Sequence, residues 1–132
     1  MGWYGNRRMA GILMAIKRGE IYSTNLLEKD TKGTEMGKIR PALVVQANDW
    51  NDILPSTIIV PVTSQLPGHV SARSVVLEKG KSGLDKDSNI VFSQIRAIDK
   101  SRLGKKIGDL QAEKMKAVDK ALSLTLGLEP ID

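Results

Sequence analysis

Cysteine is absent from the 132 residues, which excludes disulfides, thiolate nucleophiles and cysteine-built zinc sites. Such a chain is compatible with a reducing cytoplasm. Aromatic residues are scarce, with one Phe, two Trp and two Tyr, so Val, Ile, Leu, Ala and Met must build the core. The single histidine, His69, follows Leu66-Pro67-Gly68 and has no acid or base partner near it in sequence. It reads as a surface residue of a flexible loop rather than a general acid or base. No apolar run approaches the roughly 18 residues that a membrane-spanning helix needs. Also missing are a phosphate-cradling Walker loop, a dinucleotide fingerprint, a histidine-rich metal cluster and a G-x-S-x-G nucleophile turn. Any chemistry therefore has to come from positioning and charge.

What is present has the length of one domain with one core. The formal net charge is +5, and it falls to +3 when the pair Arg7 and Arg8 is set aside. That excess suits a polyanionic partner, because neutralised phosphates release counterions, but an ordinary soluble surface carries as much. Residues 1–16 combine the basic pair with a short apolar stretch and no cleavage region, unlike a signal peptide. They are read as an extension outside the core, either disordered or added at the start site, with the domain proper at 17–132.

The remaining chain reads as short strands and one helix. Residues 20–27 form a strand between Gly19 and the polar, glycine-containing segment 28–38, which reads as a loop. Pro41 starts a buried strand through Ala42-Leu43-Val44-Val45. Residues 48–52 suggest a turn or a single helical turn. The β-branched run 57–63 is a strand in which Pro61 implies an edge or a bulge, because it has no N–H for a ladder. After a loop at 64–72, strands are expected at 73–78, 89–93, 96–99 and 105–108, with 79–88 rich in turns. A helix starting at Asp109 as N-cap carries Ala112, Met115, Val118, Leu122 and Leu126 on one face and stops by Gly127. This pattern predicts a mainly β domain with α, a small curled or barrel-like antiparallel sheet with a C-terminal helix.

Several residues could carry chemistry. Arg40 precedes Pro41 and is thereby confined to extended backbone at the start of a strand. Its planar fork can grip two phosphate oxygens, though a surface arginine at a loop end has the same signature. Thr63 ends its strand in a Thr63-Ser64 pair that would place hydroxyls at the sheet rim, and threonine is also a common strand former. Gln94 can hydrogen-bond a splayed base or close the sheet as a structural amide. Trp50 and Tyr22 can stack on bases, with packing the commoner role for each.

Four segments give the chain a resemblance. Lys17-Arg18-Gly19-Glu20-Ile21-Tyr22, then Gly33 to Val45 (G-T-E-M-G-K-I-R-P-A-L-V-V), then Val60-Pro61-Val62-Thr63-Ser64, then Ser93 to Lys100 (S-Q-I-R-A-I-D-K) occur in that order. Together they resemble the MazF/PemK family of toxin endoribonucleases, from Lys17 to Leu128. The resemblance implies an SH3-like barrel of the CcdB/MazF type, commonly a homodimer. It implies a cytoplasmic, metal-independent and cofactor-free enzyme that cuts single-stranded RNA at a short motif, leaving 2′,3′-cyclic phosphate and 5′-hydroxyl ends. An acidic, MazE-like antitoxin is its implied partner, and no membrane is involved.

By the same resemblance Arg40 and Thr63 are the catalytic pair of the MazF branch. Thr34, Glu35, Lys38, Ser64 and Gln94 bind substrate, Glu35 by reading a base or by ordering the arginine. The PemK branch carries an Arg-x-Asp pair just before the matching glutamine, and this chain has Val91-Phe92-Ser93 instead. An Arg40/Thr63 arrangement is therefore expected. The rival reading is a non-catalytic, gyrase-directed poison of the CcdB kind on the same barrel. Those inhibitors act through an aromatic C-terminal tail, whereas this chain ends Leu128-Glu129-Pro130-Ile131-Asp132.

Overall fold

The computed structural model describes residues 15–27, 39–66 and 73–130. Among the expectations above, Thr34, Glu35, Lys38, His69 and most of the proposed extension lie outside these residues.

Among the described residues, seven strands and two α-helices follow in order: β1 Glu20–Asn25, β2 Ile39–Val44, α1 Asn48–Ile53, β3 Ser56–Thr63, β4 Val76–Leu77, β5 Ser88–Ile90, β6 Arg96–Asp99, β7 Leu103–Asp109 and α2 Ala112–Thr125. The antiparallel sheet runs β4-β5-β3-β2-β1-β7, with β6 also paired to β3. The strand β3 is its spine. Its first half, Ser56 to Ile59, pairs with β6, while Val62 and Thr63 pair with β5. Pro61 sits at this change of partner, where its missing N–H is tolerated. Its carbonyl accepts the Val91 N–H at 2.8 Å. This answers the expected edge or bulge: the strand stays in the sheet but hands over from one neighbour to another.

Alternation along the strands divides the apolar residues between two faces. Ile21, Leu43, Val60, Val62 and Ile90 turn toward Val118, Ala121 and Leu122 of α2. Tyr22, Ala42, Val44 and Ile59 turn to the opposite face with Leu26, Ile98 and Leu103. Ile16, placed by sequence at the end of the extension, is buried in this second cluster. Ile21, Leu43 and Val60 have no exposed surface, and each such burial contributes about 1.5–3 kcal/mol. The result is a half-barrel closed below by the C-terminal helix, the expected fold class.

Several local expectations are corrected, and β2 begins at Ile39, two residues before Pro41. Asp109 does not cap α2, because its backbone is already committed to the ladder opposite Glu20, and the helix begins three residues later. The strand expected over 73–78 is only Val76–Leu77, since β5 offers just Asn89 and Ser88 as partners. The strand expected over 89–93 ends at Ile90, after which Phe92 turns into the core on a 3-10 turn, Phe92–Gln94. On the helix, Leu126 is 52% exposed, and Ala121 and Leu124 are buried in addition to Val118 and Leu122. Gly127, with φ +73, ends it as expected. Leu128 N–H donates to the Ser123 carbonyl at 2.8 Å and Gly127 N–H to that of Leu124 at 3.3 Å, the paired bonds of a Schellman stop.

Buried polar groups are tied down locally. Under α1, Thr57 Oγ1 and Gln46 Nε2 both donate to Asn51 Oδ1, at 2.7 and 2.9 Å, and Lys100 Nζ donates to the Asn51 carbonyl. Burial pushes the Lys100 amine below its ordinary pKa. Trp50 on the same helix is 56% exposed, so its expected packing role is not met. Tyr22 does pack. Its hydroxyl donates to Glu20 Oε1 at 2.9 Å, and Glu20 Oε2 holds Lys106 Nζ at 2.8 Å.

Burial, reinforced by the Glu20 hydrogen bond and charge, raises the Tyr22 phenol to about 12. The folded state thus favours the protonated phenol, so its contribution is complete below the ordinary pKa of about 10 and is lost as pH rises toward 12. Tyr22→Phe should cost about 1 kcal/mol at neutral pH and flatten the alkaline loss of stability. Urea unfolding at a series of pH values measures both, and an unchanged alkaline slope would remove Tyr22 from the account.

Candidate active site

A cleft of about 490 Å³ opens where β2 begins and β3 ends. Ile39, Arg40 and Pro41 form one wall, with Val62 and Ser64 beside them. The position of Arg40 follows from the ladder. It pairs with Thr24, and Pro41 pairs with Ser23, while Pro41 holds the Arg40 backbone extended. The half-buried guanidinium therefore issues from a fixed point at the cleft.

Thr63 is not among the lining residues, which include its neighbours Val62 and Ser64, and its place relative to Arg40 follows from register. The pairs Ala42↔Pro61, Leu43↔Val60 and Val44↔Ile59 define how β2 and β3 align. The recorded pairs end at Ala42 and Pro61; extended by two residues, the same alignment would point Arg40 toward Thr63. Both have the parity of Ala42 and Ile59, so alternation gives them the same face. Arg40 pairs with Thr24 of β1, and Thr63 pairs with Asn89 of β5. Thr63 Oγ1 accepts the Gln65 N–H at 3.2 Å. That bond orients the oxygen and leaves the hydroxyl proton to be donated elsewhere.

Ser64 lines the cleft with Arg40 and is exposed. Gln94 does not line it. That residue closes the 3-10 turn after β5, exposed, with its backbone N–H on the Val91 carbonyl at 3.1 Å.

The opposite wall is absent from the sequence-based candidates. It consists of Gly83, Leu84, Asp85 and Lys86 from the turn-rich segment, with Ser88 and Ile107. The segment is held internally by Gly80 N–H on the Leu84 carbonyl at 2.9 Å and Lys79 N–H on Asp87 Oδ1 at 2.7 Å. It is pressed onto β7 so closely that a Cβ at Gly83 would lie 2.2 Å from the Ile107 carbonyl oxygen. A cation, Lys86, and a carboxylate, Asp85, thereby face the β2 wall. The glycines at 83 and 108 were the available signal, but glycine alone does not say which strand a turn approaches.

Among the described residues no group of three or more His, Cys, Asp or Glu side chains could hold a metal ion. No described helix is long and apolar enough to cross a membrane.

Comparison with known proteins gives a consistent result. A family model described as "PemK-like, MazF-like toxin of type II toxin-antitoxin system" matches residues 17–126. The Endoribonuclease MazF of Staphylococcus saprophyticus is 37% identical over 116 residues, covering 88% of this chain and 95% of that protein. The crystal structure of MazF from Deinococcus radiodurans superposes with TM-score 0.69 at 25% identity, over 85% of this chain and 96% of that one. An endoribonuclease in complex with its cognate antitoxin, from a mycobacterial species, shares the fold with TM-score 0.70 at 20% identity, over 88% and 99% of the two chains.

Proposed function

Since the chain belongs to the family of PemK-like, MazF-like toxins of type II toxin-antitoxin systems, we propose that it is an endoribonuclease that cuts single-stranded RNA at a short sequence without a metal ion. What supports this reading is the family match together with a cleft of about 490 Å³ that Arg40 and Ser64 line where β2 begins and β3 ends.

The substrate supplies its own nucleophile. Its 2′-oxygen attacks the adjacent phosphorus, the bond to the 5′-oxygen breaks, and the products are a 2′,3′-cyclic phosphate and a 5′-hydroxyl. Arg40 offsets the charge that builds on the two non-bridging oxygens, where a fixed donor is most effective. Thr63 holds an oxygen of the reacting phosphate or of the attacking hydroxyl. Ser64 contacts the strand nearby, with Thr34, Glu35, Lys38 and Gln94 in the binding role implied by the family pattern.

As a toxin of this class it acts in the cytoplasm as a homodimer. The short edge strand β4 and the exposed Leu126 and Leu128 leave sheet edge and apolar surface for a second copy. Its antitoxin is a MazE-like protein whose flexible acidic segment imitates the RNA polyanion in the cleft. RNA and antitoxin then exclude one another, and both bind less tightly as salt rises.

Mapping cleavage ends on a mixed RNA pool, with and without chelator, tests the whole reading. Cuts at one short motif that persist in chelator, bearing 5′-hydroxyls, are expected; no cleavage, or cleavage lost with chelator, would overturn it. Thr63→Ala should slow the single-turnover step by about 10- to 100-fold, the worth of one hydrogen bond to a charged group. Thr63→Ser, which keeps the hydroxyl, should recover part of that rate. Equal losses in the two variants would assign Thr63 to packing.

A further inference from the structure

Lys86 takes no part in the proposed cleavage step, yet it lines the same cleft as Arg40. Among the lining side chains Arg40 and Lys86 are the cations and Asp85 is the anion. Arg40 comes from the start of β2. Lys86 comes from the turn 79–88 across the cleft, so two positive charges border one space from separate elements.

The turn fixes the Lys86 backbone from both sides. Ser88 Oγ donates to the Lys86 carbonyl at 2.8 Å, and Ser88 is buried where β5 pairs with Leu77 of β4. Before it, Leu84 is buried and its carbonyl accepts the Gly80 N–H, while Gly83 lies against β7 with no room for a Cβ. Of the acidic neighbours, Asp87 accepts the Lys79 N–H at 2.7 Å, and Asp85 shares the cleft wall. Lys86 is exposed. A fixed point of backbone thus carries a point charge with three rotatable donors on a flexible four-carbon stem.

Such a group suits a phosphate better than a base edge. An ammonium donates in any direction within reach, so it does not match the planar donor and acceptor pattern of one base. A strand crossing the cleft offers a phosphate at every nucleotide. In the proposed reaction Arg40 takes the reacting phosphate from the β2 wall. A cation on the opposite wall then meets a neighbouring phosphate, and contacts of that kind set the register of a bound strand. Asp85 beside it repels the same polyanion, which gives this wall two groups of opposite expected effect.

Resting on the reading of the chain as an endoribonuclease, we propose that Lys86 is a substrate-binding residue that contacts a phosphate flanking the cleaved bond and so seats the RNA strand against Arg40. The contact adds affinity for single-stranded RNA of any sequence and stays outside the chemical step.

Binding is read with a fluorescent 2′-O-methyl oligoribonucleotide of mixed sequence, which has no free 2′-hydroxyl to attack, over a range of salt. Lys86→Gln should weaken binding about three- to tenfold at low salt and flatten the slope of log affinity against log salt by about 0.7, the worth of one phosphate on a single strand. Lys86→Arg should restore both. Asp85→Asn should tighten binding. Lys81→Gln controls for charge alone, because Lys81 belongs to the same turn, exposed and paired with Glu78, but does not line the cleft. A loss in Lys86→Gln no greater than in Lys81→Gln would overturn the contact.

Single-turnover cleavage of a mixed RNA pool separates binding from chemistry. With Lys86→Gln the loss should appear in the half-saturating protein concentration, by the factor seen in binding, rather than in the maximal rate. A slower maximal rate at unchanged half-saturation would put Lys86 in the chemical step and overturn the flanking contact. Wild-type protein that binds the probe but cuts no RNA would overturn the endoribonuclease reading instead, while the binding series still decides the contact.

Discussion

Arg40→Ala should reduce the rate of RNA cleavage by about 10²- to 10³-fold or more while the domain stays folded, because a preorganised donor to developing transition-state charge is worth that much. The fold should tolerate the change. Arg40 stands near the start of β2, outside both apolar clusters, and the ladder with β1 uses its backbone rather than its side chain. Single-turnover cleavage at saturating protein separates this loss from weakened binding. Arg40→Lys should recover little, since a point charge cannot span two phosphate oxygens as a guanidinium does. A folded Arg40→Ala protein that cleaves at a near-normal rate would remove the arginine from the chemistry and leave the cleft to binding alone.

Much of this site was legible because its signals are local. Pro41 fixes the backbone of its neighbour, the Thr63-Ser64 pair closes a β-branched run, and the order of the four segments named a family. The pairing of β2 with β3 then brings the start of one strand beside the end of the other, with Arg40 and Ser64, not Thr63, lining the cleft between them. The limits of β4, β5 and α2 were not legible. Val75 and Ser74 have strand-like neighbours, yet β5 offers only two pairs before Val91 turns to bond Pro61. Asp109 is a good cap residue by type, yet pairing with Glu20 claims its backbone first. Tertiary contact overrode local preference in both cases. Asp85 and Lys86 join the cleft only because their turn is packed on β7.

That packing yields the second large effect. Gly108→Ala should destabilise the domain by about 3 kcal/mol or more, a large part of the 5–15 kcal/mol typical of a domain. A Cβ at Gly108 would lie 2.2 Å from the Ser82 carbonyl oxygen and 2.7 Å from its carbon. Both are backbone atoms, so no flexible side chain can swing aside. Relief requires the whole 79–88 turn to move off β7. Unlike Gly83, Gly108 has no positive φ, so alanine there tests the close approach without added backbone strain. Gly80→Ala is the matching control, with φ +85 and no atom within 4 Å of an added Cβ. It should cost about 1–2 kcal/mol from the left-handed backbone alone. Thermal melting of the three proteins measures the difference, expected to be roughly 10 °C or more for Gly108→Ala relative to wild type. The same movement would displace Asp85 and Lys86 from the wall facing Arg40. Any Gly108→Ala protein that remains folded at lower temperature should therefore cleave RNA more slowly, even though no group proposed to touch the phosphate has changed. An unaltered melting temperature would mean that the turn is not pressed on β7, and that the cleft has no fixed second wall.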